Sequence, residues 1–342
     1  MNFKRKIITL SIVLGVLVIG YVLGIIFSPE RVEQRKANVP ILSGIEKDKV
    51  WKIKIKSKDG EIEIAKNSNG WTLSIDNKPF PADKDKIERF IDAVRKVKKS
   101  KIITNNPDNW KKFDVTKDTA KHFILYDKNN KIISDLYIGK EGLGGKGYYV
   151  RSSKSNEVIQ TDSLSFSYYL NIKSDFWSYL KILPKNVKKD DIIKITVKKD
   201  MVFDKSDKLK TMSYTLFKGD SKKGSVWQVE GNTSFNIDDE KAGVLLDDLI
   251  SIEGNSFEAA FTEEEAGITN SRTIFSFTMQ NNDKYSLIVG NKKNDAEQFY
   301  VKLAKGKYIY AVSVWQLKRI FKSLDSLKLV KKETNNKTKE KK

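Results

Sequence analysis

The chain has 342 residues, 39% of them hydrophobic, with 17 Phe, 13 Tyr and 6 Trp. This composition supplies enough apolar surface for packed cores and excludes a wholly disordered chain. The absence of cysteine excludes disulfides, thiolate nucleophiles and cysteine-bound metals.

The formal net charge is +20, but only 8 of the 64 basic residues are arginine. Lysine binds anions as a point charge, whereas arginine is suited to bidentate phosphate or carboxylate recognition. The lysine excess, alongside abundant Ile and Asn, is typical of a protein encoded by an AT-rich gene. Attraction to anionic lipid or cell-wall polymer stays open as the alternative, and no nucleic-acid partner is predicted.

The N-terminus begins with a basic stub, residues 1–6, followed by an uncharged run of 21 residues from Ile7 to Phe27. As a helix this run would be about 31 Å long, against a bilayer core of about 30 Å. We therefore predict a transmembrane signal-anchor helix, with the stub in the cytoplasm and the bulk of the chain on the extracytoplasmic side.

A cleaved signal peptide is the alternative for this run. Signal peptides usually have about 7–15 apolar residues and end at a small-residue cleavage site. Here the run is longer and continues as Phe27-Ser28-Pro29-Glu30, so an uncleaved anchor is favoured. A polar stalk is predicted at residues 28–47.

The remaining chain repeats one order of six sequence blocks. The first copy has VWKIKIK (50–56), GWTLSI (70–75), FPADKDKIERFIDAV (80–94), FDV (113–115), LYIG (136–139) and YYVR (148–151). The second has IIKITVK (192–198), VWQVEG (226–231), FNIDDEKAGVLLDDL (235–249), AGI (266–268), LIVG (287–290) and FYVK (299–302). Two copies are too few for a solenoid, so we predict tandem homologous domains at 48–182 and 183–328, then a disordered Lys-rich tail at 329–342.

Each copy is predicted to be α+β, an antiparallel β-rich sheet with a helix packed on one face. The alternation in VWKIKIK and in residues 60–66 is typical of half-buried strands, and Asp59-Gly60 between them indicates a hairpin. A second group of strands is predicted after the helix in each copy, and short amphipathic helices at 163–170 and 314–324 close the copies.

The main helix of each copy is predicted to begin after a capping aspartate, Asp83 or Asp238. Apolar stripes then face the sheet. The stripes are Ile87, Phe90, Ile91, Val94 and Val97 in the first copy, and Val244, Leu245, Leu249 and Ile252 in the second. Trp71 and Trp227 are predicted to be core residues, with ligand stacking as the alternative.

A glycine-rich run, GLGGKG at 142–147, matches the spacing G-x-G-x-x-G. A dinucleotide loop must leave a strand and enter a helix, whose N-terminal amides hold the pyrophosphate. This run instead separates two predicted strands, which favours a flexible hairpin connection.

His122, the only histidine, lies in an alternating strand pattern. One histidine without cysteine cannot build a typical zinc site, and no serine–histidine–aspartate set is indicated. A structural role is predicted.

Paired carboxylates could hydrolyse glycosides without histidine or cysteine. The candidates are Asp83/Asp85, Asp190/Asp191, Asp238/Asp239, Asp247/Asp248 and the run 263–265. Helix capping explains Asp83 and Asp238, and the others are predicted to be solvated. We therefore assign no catalytic, cofactor-binding or metal residue and expect no enzyme.

The blocks Trp71-Thr72-Leu73, Pro81-Ala82-Asp83, Leu136–Gly139 and Tyr148–Arg151 together resemble the bacterial family known as domain of unknown function 4340. The chain departs from that family's G-L-x-x-P pattern, because Phe113-Asp114-Val115 lacks the proline. The resemblance implies an N-terminal anchor, a periplasmic location and genes beside a gliding-motility-type ABC transporter. It implies no activity.

These observations favour a non-enzymatic membrane-anchored accessory or scaffold protein of an ABC-type transport or envelope complex. One alternative is a binder of anionic envelope polymer or lipid through a Lys-rich surface. A carboxylate-based glycan hydrolase is the other.

Overall fold

The computed structural model describes residues 3–26, 40–41, 45–207, 210–219, 226–293 and 297–330, without the side chains of residues 3–8, 10 and 233. The chain divides into two compact units between Trp177 and Ser178. Each unit contains one antiparallel sheet of nine strands and few helices. The prediction of tandem β-rich domains is therefore confirmed.

The N-terminal segment forms helix α1 (Phe3–Ile26). Among the helices formed by the described residues, none combines the length and apolar content needed to cross a membrane. The transmembrane helix predicted from Ile7 to Phe27 is therefore not found there. Part of that prediction lies outside the described residues, as do the tail from 331 onward and most of the stalk at 28–47.

The first unit is built mainly from strands. They are β1 (Lys52–Ser57), β2 (Gly60–Asn67), β3 (Gly70–Ile75), β4 (Lys78–Pro81), β5 (Lys99–Thr104), β6 (Lys121–Tyr126), β7 (Ile132–Glu141), β8 (Tyr148–Ser152) and β9 (Val158–Thr161). Helix α2 (Lys84–Lys96) lies between β4 and β5, and the short α3 (Ser174–Trp177) ends the unit. The sheet order is β4-β3-β2-β1-β6-β7-β8-β9-β5.

The hairpin predicted at Asp59-Gly60 is present, and a second hairpin joins β3 to β4. Ser57 pairs with Gly60 across the β1–β2 turn, and Gly60 has φ 143°, a value that glycine tolerates without strain. Asp76 and Asn77 form the β3–β4 turn with φ 48° and 61°, the left-handed conformation of a two-residue hairpin.

Helix α2 begins at the predicted cap, where the Asp83 side chain accepts a hydrogen bond from Lys86 N at 3.0 Å. Its apolar stripe is buried with sheet residues such as Ile53 and Phe123 in one core. Within this core the Phe90 ring lies edge-on to Trp177 at 5.7 Å. The helix therefore covers one face of the sheet, as its spacing indicates.

The second unit repeats the strand sequence. Its strands are β10 (Ile192–Asp200), β11 (Thr211–Lys218), β12 (Trp227–Val229), β13 (Asn232–Asn236), β14 (Ser256–Phe257), β15 (Thr273–Met279), β16 (Lys284–Lys292), β17 (Gln298–Leu303) and β18 (Ile309–Ser313). Its helices are α4 (Asp239–Ile250) and α5 (Val314–Ile320). The sheet order, β13-β12-β11-β10-β15-β16-β17-β18-β14, is that of the first unit with every strand number raised by nine.

The apolar stripe predicted for α4 is wrong at one position. Val244 is 47% exposed, whereas Leu246 is buried beside Leu245 and Leu249. Three apolar residues stand in a row here, so the helical spacing leaves open which two face the sheet. The cap is as predicted, since the Asp238 side chain accepts hydrogen bonds from Glu240 N and Lys241 N.

The closing helix predicted at 163–170 is also wrong. This segment holds only a 3₁₀ turn, Ser167–Tyr169, although Phe166 and Leu170 are buried. Ser163 accepts a hydrogen bond from Ser165 N at 3.0 Å, the kind of local serine contact that competes with helix formation. In the second unit the helix is present but ends at Ile320.

Candidate functional site

The glycine-rich run 142–147 connects β7 to β8 and enters no α-helix. Gly142 N donates to Gly147 O at 3.0 Å, which closes the loop as a hairpin. Gly147 has φ 67°, and a Cβ there would collide with the backbone of Thr161. The run is therefore a hairpin connection, as predicted, and its glycines serve turn geometry and close approach.

His122 takes part in a polar stack on the helix-free face of the first sheet. Its ring lies parallel to Tyr137, with 4.2 Å between centroids, and its Nε2 is 2.5 Å from Asp135 Oδ1. These residues come from the neighbouring strands β6 and β7. The imidazole is fixed by sheet packing, which fits a structural role.

Arg151 extends this stack and is 5% exposed. Its guanidinium carbon lies 4.4 Å from the Tyr137 ring centroid and 3.8 Å from that of Trp110, so the group is sandwiched between two aromatic rings. Its Nε donates to Val115 O at 3.1 Å. Burial lowers the pKa of this guanidinium, and the nearby Tyr137 and Asp135 oppose the shift. The arginine therefore holds the segment that contains Trp110 and Val115 against the sheet.

The equivalent position in the second unit is occupied by Lys302. Tyr137 pairs with Arg151 in the first sheet, and Ile288 pairs with Lys302 in the second. The Lys302 side chain is almost buried and its Nζ lies 2.9 Å from Glu263 Oε1. The second unit thus replaces an aromatic sandwich with an ion pair.

The predicted acidic pairs are dispersed into separate structural contacts. Asp239 accepts hydrogen bonds from Val226 N and Trp227 N, at 2.8 and 3.0 Å. Asp247 pairs with Lys189 at 2.7 Å. Asp85 and Asp190 are exposed and Asp191 is half-buried.

The run 263–265 is exposed, as expected. Glu265 accepts hydrogen bonds from the backbone N and the hydroxyl of Thr262, both at 2.8 Å. These bonds lower the pKa of Glu265 because they favour its charged form. Its role is to stabilise the local turn.

Asp248 was predicted to be solvated, and this is wrong. It is 6% exposed, accepts a hydrogen bond from the Arg319 guanidinium and lies 3.8 Å from Lys322 Nζ. Both cations come from the chain end of the unit, some 70 residues further on. A carboxylate without them would be costly to bury, so they explain its position.

A cavity of about 350 Å³ lies beside this ion pair, between the C-terminal end of α4, the loop after it and α5. Trp315 stands at its rim with 59% of its surface exposed, and the Arg319 guanidinium lies 5.5 Å from the Trp315 ring. Gln316 and Glu253 form a reciprocal pair of hydrogen bonds across the cavity wall, at 3.0 and 3.1 Å. The cavity thus has an exposed tryptophan beside a paired arginine at its rim.

The residues that the structure describes contain no group of three or more His, Asp or Glu placed to hold a metal ion. Sequence reasoning missed Asp248, Trp315 and Arg319 as neighbours. The amphipathic spacing of residues 314–320 was the available signal, since it leaves Trp315 and Arg319 on one polar face.

Comparison with known proteins gives a family match. Residues 71–222 match the model described as "Domain of unknown function (DUF4340)". That segment belongs to the DUF4340 family. The resemblance seen in the sequence is thereby confirmed, and the matched segment runs from Trp71 in β3 past the end of β11.

One relative is an uncharacterized protein of Treponema pallidum (strain Nichols). It is 24% identical over 117 residues, which cover 34% of this chain and 37% of that protein. The chain thus spans little more than a third of the length of this relative. No solved structure matches.

Proposed function

We propose that this DUF4340-containing chain is a non-enzymatic accessory or scaffold protein, held at a bacterial cytoplasmic membrane with both units on the extracytoplasmic side. Its partner would be an ABC-type transport system or another envelope complex. Three observations support the proposal: the similarity to the DUF4340 family, the charge pattern of the N-terminus and the surface of the second unit.

Membrane attachment is supported by the sequence from Ile7 to Phe27, which has no charge. In α1 the apolar side chains between residues 12 and 23, among them Leu14, Leu17 and Tyr21, are exposed. A contiguous apolar surface of this extent is normally covered by lipid or protein. Alkaline extraction of cell membranes should leave the full chain in the pellet, and its appearance in the soluble fraction would contradict attachment.

The observation that carries the partner-binding role is Trp315 beside Arg319 at the rim of the 350 Å³ cavity. Tryptophan and arginine are the residues most enriched at the energetic centres of protein interfaces. The cavity offers a recess for a partner side chain next to an exposed ring. The neighbouring carboxylate, Asp248, is already engaged by Arg319 and Lys322, which favours a binding role over a catalytic one.

The test is site-specific photocrosslinking of the full chain in native membranes. A photoreactive residue at position 315 should yield one dominant adduct with an integral-membrane protein. Leu143, 77% exposed in the first unit, is the matched control and should yield no such adduct.

Trp315→Ala should then reduce detergent co-purification of that partner by about tenfold or more, as expected for an interface centre. Leu143→Ala should leave it unchanged. Equal crosslinking at both positions, or full recovery of the partner by Trp315→Ala, would overturn the proposal.

A further inference from the structure

The helix-free face of the second sheet carries a groove of about 460 Å³ over strands β10, β15 and β16. Three lysines line it, Lys194, Lys198 and Lys284, and its other polar lining residues carry hydroxyl groups. Neither Asp nor Glu is among the described residues of the lining. The groove therefore presents donors and positive charge to any ligand.

A row of hydroxyls crosses the floor of this groove. Thr215, Thr196, Ser276 and Ser286 stand side by side on four adjacent strands. The Thr196 and Thr215 hydroxyl oxygens are 3.1 Å apart, and those of Ser276 and Ser286 are 2.8 Å apart. In each pair one hydroxyl donates its proton to the other, so one proton per pair is left to donate to a ligand oxygen.

The lysines surround this row. Lys194 and Lys284 lie on either side of Thr278 in the next cross-strand row, two strand spacings or about 10 Å apart. Lys198 lies beyond the hydroxyls, four residues or about 13 Å along β10 from Lys194. Three ammonium groups thus frame a hydroxyl floor.

Two of these lysines are not neutralised within the described part of the chain. Lys198 and Lys284 are exposed, and their side chains make no hydrogen bond or ion pair with described residues. Lys194 lies 2.9 Å from Glu230, but both side chains are about half exposed, and such pairs are weak.

On the equivalent surface of the first unit, the lysines are engaged in ion pairs. The register places Lys52, Lys54 and Lys56 of β1 where the second unit has Lys194, Thr196 and Lys198. There Glu61 lies 2.7 Å from Lys54 and 3.1 Å from Lys56, and Glu63 lies 4.0 Å from Lys52.

The carboxylates of that surface are replaced in the second unit. Ser213 and Thr215 occupy the positions of Glu61 and Glu63, and Ser286 occupies that of Asp135. Two copies of one fold thus differ by the removal of three acids at a single surface.

We propose that the groove on the second sheet binds phosphodiester groups of an anionic polymer chain. Lysine ammonium groups bind phosphate as point charges, and the hydroxyl row can bond the non-bridging oxygens between them. The absence of arginine from the described lining disfavours planar carboxylates, which guanidinium groups recognise best. A concave groove also suits a strand of polymer better than a flat bilayer surface.

The test titrates the full chain with soluble poly(glycerol phosphate) at about 150 mM salt, by calorimetry. Lys198→Gln/Lys284→Gln should lower the affinity by about tenfold, because two unpaired cations are lost. Ser276→Ala/Ser286→Ala keeps the charge and should lower it by a smaller, measurable factor.

The matched control is Lys54→Gln/Lys56→Gln in the first unit. It removes the same charge from the corresponding surface of the first sheet, where Lys56 is the counterpart of Lys198, and should change the affinity less than about twofold. Equal loss in both double variants would mean diffuse attraction and would overturn the proposal. Absence of binding by the unmodified chain would overturn it as well.

A parallel titration with vesicles containing phosphatidylglycerol separates polymer from lipid. If Lys198→Gln/Lys284→Gln weakened only vesicle binding, the groove would belong to lipid headgroups and the polymer assignment would be wrong. These outcomes do not depend on the partner proposed for Trp315, so either proposal can fail alone.

Discussion

In both units a loop packs on the helix-free face of the sheet through apolar residues at equivalent positions. A different charged side chain holds the loop in each unit. Val115, Tyr149 and Val158 form the cluster under the loop of the first unit. Ile268, Tyr300 and Ile309 form it in the second. Arg151 between two rings is replaced by Lys302 paired with Glu263.

This comparison teaches that packing contacts are retained between the copies while polar surfaces have diverged. The same rule applies to the lysine strands β1 and β10, where ion pairs in one unit become a hydroxyl-lined groove in the other. Surfaces at which the units differ are therefore the places to look for function, and contacts that they share maintain the fold.

The largest effect is expected at the packing contacts that both units share, and it can be tested at Gly139 and Gly290. A Cβ at either position would collide with a backbone carbonyl oxygen of the loop, that of Phe113 or of Ala266. Because backbone cannot move aside cheaply, Gly139→Ala and Gly290→Ala should each destabilise their own unit by about 3 kcal/mol. Denaturant unfolding followed by hydrogen exchange in β7 and β16 measures the two effects.

Gly243 in α4 is the control for those variants. No atom lies within 4 Å of a Cβ there, so Gly243→Ala should be neutral or stabilise by about 0.5–1 kcal/mol. If only one of the two strand glycines lost stability on substitution by alanine, the two loops would not be packed in the same way.

A smaller difference in the free energy of unfolding should distinguish the Arg151 sandwich from the Lys302–Glu263 ion pair. Trp110→Ala removes one face of the Arg151 sandwich and the hydrogen bond from Trp110 Nε1 to Asn156 O, and should cost about 2 kcal/mol. Glu263→Gln keeps an acceptor oxygen for the nearly buried Lys302 ammonium and removes only the charge of an exposed partner, so it should cost below about 1 kcal/mol. Equal unfolding free energies for the two variants would contradict the assignment of Arg151 as the principal fastener.

Sequence alone predicted the elements that local patterns encode. Alternating strands, the caps Asp83 and Asp238 and the glycine hairpin at 142–147 all follow from neighbours close in the chain. The edge strands β5 and β14 were missed. Lys99–Thr104 (KSKIIT) shows no alternation of apolar and polar residues, and Ser256–Phe257 has only two residues.

The missed site features depend on contacts distant in sequence. Asp248 is buried only because Arg319 and Lys322 return to it from α5 and the residues after it. The groove requires the register of strands far apart in the chain. Its signal was nevertheless present, since aligning the two repeat blocks sets Lys54 against Thr196.

The subtlest consequence of the divergence is a pH dependence at the lysine strand of the first unit that the equivalent strand of the second unit lacks. Hydrogen bonds from Lys54 and Lys56 lower the pKa of Glu61 below its ordinary value of 4.5, and the second unit has Ser213 at that position. A lowered pKa in the folded state contributes stability above the unfolded value, and this contribution is lost as the pH falls through the folded value. Because Glu61 is half exposed, Glu61→Gln should destabilise by no more than about 0.5 kcal/mol at pH 7. The difference from the unmodified chain should shrink as the pH is lowered from 7 to below 4.5, whereas Ser213→Ala should show no such change over the same range. A Glu61→Gln penalty that persisted in acid would mean that packing, not charge, joins β1 to β2 on this face.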